Sequence, residues 1–190
     1  MFAYKKKYFL IIENTKDIDL KNIKIRNKFS IIYRNNKNNE NKYELFKFSK
    51  ICKLKAIKFY IANNLKMAIY LNCNGVYLSA SNNSLKYLTN KNLQFEIIGS
   101  AHNFMEIRKK IIQGCNSILL SKLFLVSYDK KASYLGVIKF NNYQNIFNNL
   151  IPLGGINLKN LNCLSMVNSK GFALLSEIKK KPANIINRLF

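Results

Sequence analysis

Apolar residues in this chain fall into short runs of four to six, set between amphipathic and Asn-rich or Lys-rich stretches. The runs at 8–12, 29–33, 56–61, 75–78, 95–98, 117–120, 150–153 and 171–175 are rich in Ile, Phe, Tyr and Leu and do not alternate strictly with polar residues. Strands buried on both faces of a parallel sheet read this way, because neither face meets water. Eight strands are therefore predicted. Helical spacing appears between several of them, at 41–53, 65–71, 103–114 and 158–167. In the third helix Phe104, Ile107, Ile111 and Ile112 are placed on one face and Arg108, Lys109 and Lys110 on the remainder, with Asn103 as N-cap and Gly114 closing the C-terminus. Pro182 opens a last short helix ending near Leu189. The Asn-rich stretch at 35–41 reads as an exposed loop.

A weak internal repeat points to the way these elements connect. The segments LNCNGVYLS (71–79), QGCNSILLS (113–121) and NSKGFALLS (168–176) each read as helix end, tight turn, apolar strand and Leu-Ser. Repeated helix-turn-strand units favour parallel βα construction, and Ser79, Ser121 and Ser176 would sit at strand C-terminal ends, where barrel enzymes place their sites. The fold class expected is α/β, a TIM (β/α)8 barrel in a single domain over 1–190. The chain has 190 residues, short for that architecture, so some helices must be trimmed or missing.

Charge changes the picture less than its size suggests. There are 32 Lys and Arg against 9 Asp and Glu, a formal net charge of +23, which would attract phosphates, nucleic acid or an anionic surface. The lysines are scattered along the chain and rise together with Asn, Ile, Phe and Tyr, a pattern that compositional bias also produces. The cysteines Cys52, Cys73, Cys115 and Cys163 form no CxxC pair and His102 is the only histidine, which argues against a structural metal site. Small buried thiols in a reducing compartment fit the cytoplasm. MFAYKKKYFLII superficially suggests a leader, but its apolar run stops at Glu13 and reads as the first strand. No segment is apolar for long enough to span a membrane.

The most specific local motif is IPLGGIN at 151–157, a strand running into Gly154-Gly155 and a helix expected to begin near Asn157. Paired glycines at such a junction let backbone N–H groups approach an anion, and a helix start favours negative charge. A βα barrel commonly holds a phosphate between the loops after its seventh and eighth strands, so Gly154 and Gly155 are paired in expectation with Leu175 and Ser176. An ordinary tight turn is the competing reading.

The segment IPLGGINLKNLNCLSMVNSKGFALLSEI resembles the C-terminal signature of the thiamine phosphate synthase/TenI family. GCNSILLSKLF, IIGSAHN, GVYLSASN, YIANN and IIYRNNK resemble, in order, that family's sixth-, fifth-, fourth-, third- and second-strand motifs. The resemblance implies a TIM barrel that joins an aminopyrimidine diphosphate to a thiazole phosphate, releases pyrophosphate and uses Mg²⁺. It places Arg34 on the diphosphate, Asn63 as the substrate-binding Asn of the third-strand Asn-Asp pair, Ser100 near the leaving group, and Gly155, Leu175 and Ser176 around the thiazole phosphate. The two family carboxylates that bind Mg²⁺ fall on Asn64 and Asn82, neutral amides that should bind it much more weakly. Ile32 and Asn36 replace a Gln and a Lys, with Lys37 adjacent, and Lys122 stands where TenI-type tautomerases carry a catalytic His. Lys130 or Lys131 would supply the lysine that follows the sixth strand.

His102 follows Ser100 at the expected mouth, as a general acid or pyrophosphate contact or as a plain loop residue. Three functions remain in view. The first is a synthase in which Arg34, Lys122 and Lys130 clamp the diphosphate in place of the metal. The second is a non-catalytic relative that keeps the phosphate cradle for a phosphorylated ligand or serves as a partner module, and a homodimer is left open. The third is nucleic-acid binding, for which Tyr4, Lys5, Lys6, Lys7 and Tyr8 have suitable types, although Tyr8 belongs to a strand and a solvated face accounts for the lysines.

Overall fold

The computed structural model describes residues 7–23, 26–35, 41–87, 95–126, 129 and 131–175. The eight predicted strands are all present: β1 (Lys7–Ile12), β2 (Phe29–Tyr33), β3 (Lys58–Ala62), β4 (Gly75–Leu78), β5 (Glu96–Ala101), β6 (Ser117–Ser121), β7 (Leu150–Leu153) and β8 (Gly171–Leu174). They pair in sequence order, all parallel, and β8 pairs with β1 to close the barrel. The fifth strand runs to Ala101, beyond the predicted end at 98. The predicted loop at 35–41 falls largely, and the predicted helix opened by Pro182 wholly, outside the described residues.

Two apolar clusters follow from the period-two alternation of each strand. Inside the barrel lie Phe9, Ile11, Ile32, Tyr60, Tyr77, Ile98, Leu119, Ile151 and Ala173. Their strand neighbours, among them Leu10, Ile31, Phe59, Val76, Ile118 and Phe172, face the surrounding helices and loops. Both faces are buried, which explains the continuous apolar runs.

Four α-helices are seen: α1 (Lys42–Leu54), α2 (Leu65–Tyr70), α3 (Phe104–Ile112) and α4 (Gly136–Phe147). Helix α1 is capped by Asn41, whose side chain accepts from Tyr43 N–H, and buries Leu45, Phe48, Ser49 and Cys52, one stripe at helical spacing. The β1–β2 connection holds only 3-10 turns among its described residues. There Asp17 takes the N–H groups of Glu13 and Asn14 at 2.8 and 2.9 Å, while Ile18, Leu20 and Ile23 cover the barrel.

Three helix expectations are corrected. The 158–167 segment is no α-helix: 157–160 turns, and Leu161–Met166 is 3-10. Leu161, Leu164 and Val167 are buried at a spacing of three, the period of a 3-10 helix, and the Asn157 and Asn160 side chains hydrogen-bond locally instead of leaving the backbone to continue. Helix α4 was not predicted, because its Val, Ile, Phe, Tyr and Asn are modest helix formers and no side chain caps it. Helix α3 buries Ile107 and Lys110, while Ile111 and Ile112 are exposed and Phe104 packs on Tyr143 and Phe147 of α4.

The N-terminal end of the barrel is sealed by polar chemistry. Glu96 bonds the Lys58 ammonium and accepts from the Tyr60 hydroxyl at 2.5 Å. A recess of ≈ 640 Å³ opens at this end, lined in part by Lys53, Lys58, Asn74 and Glu96, far from the strand C-termini that carry chemistry in barrel enzymes. Burial opposes charge on Glu96, but the hydrogen bonds from Lys58 and Tyr60 and the Lys58 charge outweigh it, so the carboxyl sits below its ordinary value. Burial, reinforced by the Glu96 bond, pushes the Tyr60 phenol far up and keeps it a donor.

A carboxyl whose folded value is depressed gives stability that is full above its unfolded value and is lost as pH falls through the folded one. Denaturant melts should therefore weaken as pH drops below about 4.5, the ordinary value for Glu96. Glu96→Gln should cost roughly 1 kcal/mol at neutral pH, discounted for its half-exposed position, and should flatten that acid limb. An unchanged acid limb in the variant would remove Glu96 from the account.

Candidate active site

The inward alternation of the strands decides what reaches the C-terminal mouth. Two residues beyond Ile32, Tyr77, Ile98 and Leu119 come Arg34, Ser79, Ser100 and Ser121, while β3, β7 and β8 contribute Ala62, Leu153 and Leu175. By the same step β1 contributes Glu13, so the mouth is a ring of three hydroxyls, one guanidinium and one carboxylate on an apolar floor. Ser100 is buried and Leu175 half-buried. Arg34 is tied to β1 through its backbone N–H, which donates to Ile12 O at 2.8 Å. Its Nε is buried with no hydrogen-bond partner. A buried guanidinium N–H left unpaired is costly unless an acceptor arrives.

Asn63, Ser79 and Asn82 form one network beside this ring. Asn63 follows β3 with φ of 55°, its Nδ2 donates to Ser79 Oγ at 3.0 Å, and its Oδ1 accepts from Ser79 N–H and Asn82 Nδ2 at 3.1 and 2.9 Å. The Tyr87 hydroxyl donates to Asn63 O at 3.0 Å. From beneath, the Lys110 ammonium donates to Ser79 O and Asn82 O, both at 2.7 Å, and to Gln113 Oε1 at 2.8 Å. Burial pulls the Lys110 ammonium below its ordinary value. Lys110 and Gln113 were missed from sequence, where Lys110 was assigned to the solvated face of α3. No periodicity announces a lysine whose stem is buried and whose head reaches another loop.

Magnesium takes carboxylate, phosphate and water oxygens in strict geometry. Asn64 is the N-cap of α2, its Oδ1 accepting from Met67 N–H at 3.0 Å, and Asn82 Oδ1 accepts from Ser84 N–H at 3.0 Å. Both oxygens are neutral and already hold backbone amides. Among the described residues no three His, Cys, Asp or Glu side chains gather where they could hold a metal ion. This donor set does not fit Mg²⁺.

Gly154 and Gly155 follow β7 with φ of 90° and 71°, in the left-handed region that favours glycine. Gly154 O accepts from Phe124 N–H at 3.1 Å, and Gly155 O accepts from the side chains of Asn157 and Asn160 at 3.2 and 2.8 Å. The helix expected from Asn157 is replaced by this turn, so no α-helical dipole points at the glycines. Lys122 packs its Cα and Cβ over Gly154, and its ammonium lies 3.9 Å from Asp129. Lys122 and the glycine pair are thus brought together, whereas Lys130 and Ser176 fall outside the described residues. His102 stands at the rim after β5, 55% exposed, with Nδ1 3.0 Å from Glu106 Oε2. Burial works against the Glu106 charge, yet the bonds from His102 hold its carboxyl below the ordinary value.

Comparison with known proteins agrees with the barrel fold. The family profile described as thiamine monophosphate synthase matches residues 5–178. A thiamine-phosphate synthase of Prochlorococcus marinus (strain AS9601) is 27% identical over 139 residues, 71% of this chain but 39% of that protein, so the match spans about two fifths of the relative's length. Among solved structures, a thiamine phosphate pyrophosphorylase from Pyrococcus furiosus superposes with a TM-score of 0.71 at 15% identity, covering 97% of this chain and 95% of that one. A 3-keto-L-gulonate-6-phosphate decarboxylase from Vibrio cholerae gives 0.65 at 11% identity over 98% and 99%. At such identities the structural matches speak for the fold alone.

A Cβ at position 155 would lie 2.3 Å from Phe124 O and 2.7 Å from Leu125 O, both backbone atoms. Gly155→Ala should therefore cost at least about 2 kcal/mol, from strained φ and displaced backbone together. Its melting midpoint should drop by roughly 5 °C or more. A midpoint equal to that of the parent would show that the β6 loop yields freely.

Proposed function

We propose, from the premise that this chain belongs to the thiamine monophosphate synthase family, that its mouth binds two phosphorylated substrates and joins an aminopyrimidine diphosphate to a thiazole phosphate. The observation that carries this reading is the buried, unpartnered Nε of Arg34 at the inner end of β2. A diphosphate oxygen supplies the acceptor that this group lacks, in the charge-assisted geometry that guanidinium and phosphate share.

In the reaction the thiazole nitrogen forms a bond to the pyrimidine methylene carbon while the bond from that carbon to the diphosphate oxygen breaks, and pyrophosphate leaves with the electron pair. Arg34 holds the departing oxygens as negative charge builds on them. The Ser100 hydroxyl, buried on β5 across the ring from Arg34, donates to the same group. The second phosphate lies against the backbone of Gly154 and Gly155, beside which the stem of Lys122 packs. Leu153, Leu175 and Ala62 form the apolar floor that orients the rings and excludes water. Asn63 orders the rim through Ser79 and Asn82. His102, paired with Glu106, contacts the leaving pyrophosphate from the rim. No step is assigned to Mg²⁺, because the oxygens at Asn64 and Asn82 are neutral and engaged.

The test is a coupled assay of the purified protein with both substrates, following thiamine phosphate with and without chelator. Product is expected in both conditions, and Arg34→Ala should lower the rate by about a hundredfold while leaving the melting midpoint nearly unchanged. Calorimetric binding of thiazole phosphate without turnover would replace the enzyme by a phosphate-binding relative, a reading that the two neutral amides favour. Neither product nor binding would overturn both.

A further inference from the structure

Among the described residues Lys110 is the one charged side chain that is buried, at 1% exposure. Its route is built into the packing. A Cβ at Gly99 would stand 3.0 Å from Lys110 Cγ and Cδ and 2.8 Å from Cys115 Sγ, so the glycine of β5 leaves the notch through which the lysine stem passes. All three ammonium protons are used, on Ser79 O, Asn82 O and Gln113 Oε1. Gln113 Nε2 adds bonds to Asn82 O and Ser84 O at 3.0 and 2.8 Å. The 79–84 loop is thereby pinned to α3 from below by backbone carbonyls and to Asn63 from above by side chains.

We infer that Lys110 is a positioning residue that holds the 79–84 loop in place of a metal, so that this side of the mouth forms and stays formed without a divalent cation. The inference rests on the proposed function for what the rim serves, and not for whether the rim forms. The chemistry is consistent on both sides of the exchange. Two carboxylates joined by a dication would tie the 64 and 82 positions together with a net charge of zero. In this chain both are amides, and one fixed ammonium ties the loop instead. That ammonium, bonded to Asn82 O, also repels any dication brought to the same residue.

The test uses the full chain without substrates. Hydrogen exchange of the 79–87 amides should be unaffected by Mg²⁺ or chelator in the parent protein and about tenfold faster in Lys110→Met. Gln113→Ala, which keeps the ammonium, should accelerate the same amides by a smaller factor and serves if Lys110→Met does not fold. A purely structural lysine would not move a third readout. In an Asn64→Asp/Asn82→Asp background, Mg²⁺ affinity from melting shifts should rise by about tenfold when Lys110 is also Met, because a like charge is removed. Protection of the parent loop by Mg²⁺, unchanged exchange in both Lys110→Met and Gln113→Ala, or equal Mg²⁺ affinity with Lys110 and Met would each overturn the inference. None of these measures turnover, so a failed condensation assay leaves their outcome intact.

Discussion

Closure of eight short parallel strands is the constraint on which the molecule depends. Each strand has a hydrogen-bonded neighbour on both sides and no edge is left, while side chains of Asn74, Asn116 and Gln144 take the N–H groups of Phe59, Ile97 and Leu150 near the strand starts. Closure also enforces the alternation, because a one-residue slip would exchange the barrel's contents for its coat. Once the ring is secure the coat can be thin. The described connections after β1, β4 and β7 carry loops or 3-10 turns where a fuller barrel would carry α-helices. Ile18, Leu20, Ile23, Leu161 and Leu164 cover the sheet from those turns.

The same alternation explains what was legible in the sequence. Strands buried on both faces announce themselves as apolar runs, and all eight were found with small shifts of their ends. The glycine pair after β7 and the Asn103 cap could also be read, since each depends on local chemistry, whereas Arg34 and Ser100 come only from the family resemblance. Elements governed by tertiary contact were hidden. Helix α4 is held by Phe140 and by aromatic packing against Phe104, in spite of middling propensities. The turn after Gly155 looked helical because apolar residues recur there, yet their interval of three belongs to the tighter helix. Lys110 was hidden most completely, since its burial needs a glycine on β5, a glutamine one turn on and carbonyls on a loop distant in sequence.

At the mouth, amides stand at positions 64 and 82 and are ordered by their own hydrogen bonds. Asn64 spends its oxygen on capping α2, while Asn63 and Asn82 bond each other and Ser79. Neutral side chains lodged against backbone amides need no counterion, whereas a pair of carboxylates at the same places would repel each other unless something stood between them. The positive charge near the site resides instead on side chains: Arg34 at the ring, Lys122 over the glycine turn and Lys110 under the loop. On the proposed function, the phosphate-rich ligand meets Arg34 and Lys122, while Lys110 stays engaged beneath the loop.

The seal made by Glu96, Lys58 and Tyr60 gives the barrel axis two unlike ends. One end is an ion pair locked to a phenol, the other a ring of hydroxyls with a guanidinium and a carboxylate, and the side chains between them are apolar but for the Tyr77 phenol. Such a column joins the two ends through packing, with a single phenol among its aliphatic and aromatic side chains. The lower end thus serves stability through its ion pair, apart from the residues of the mouth. A scaffold divided in this way can lose, keep or exchange its chemistry without rebuilding its foundation.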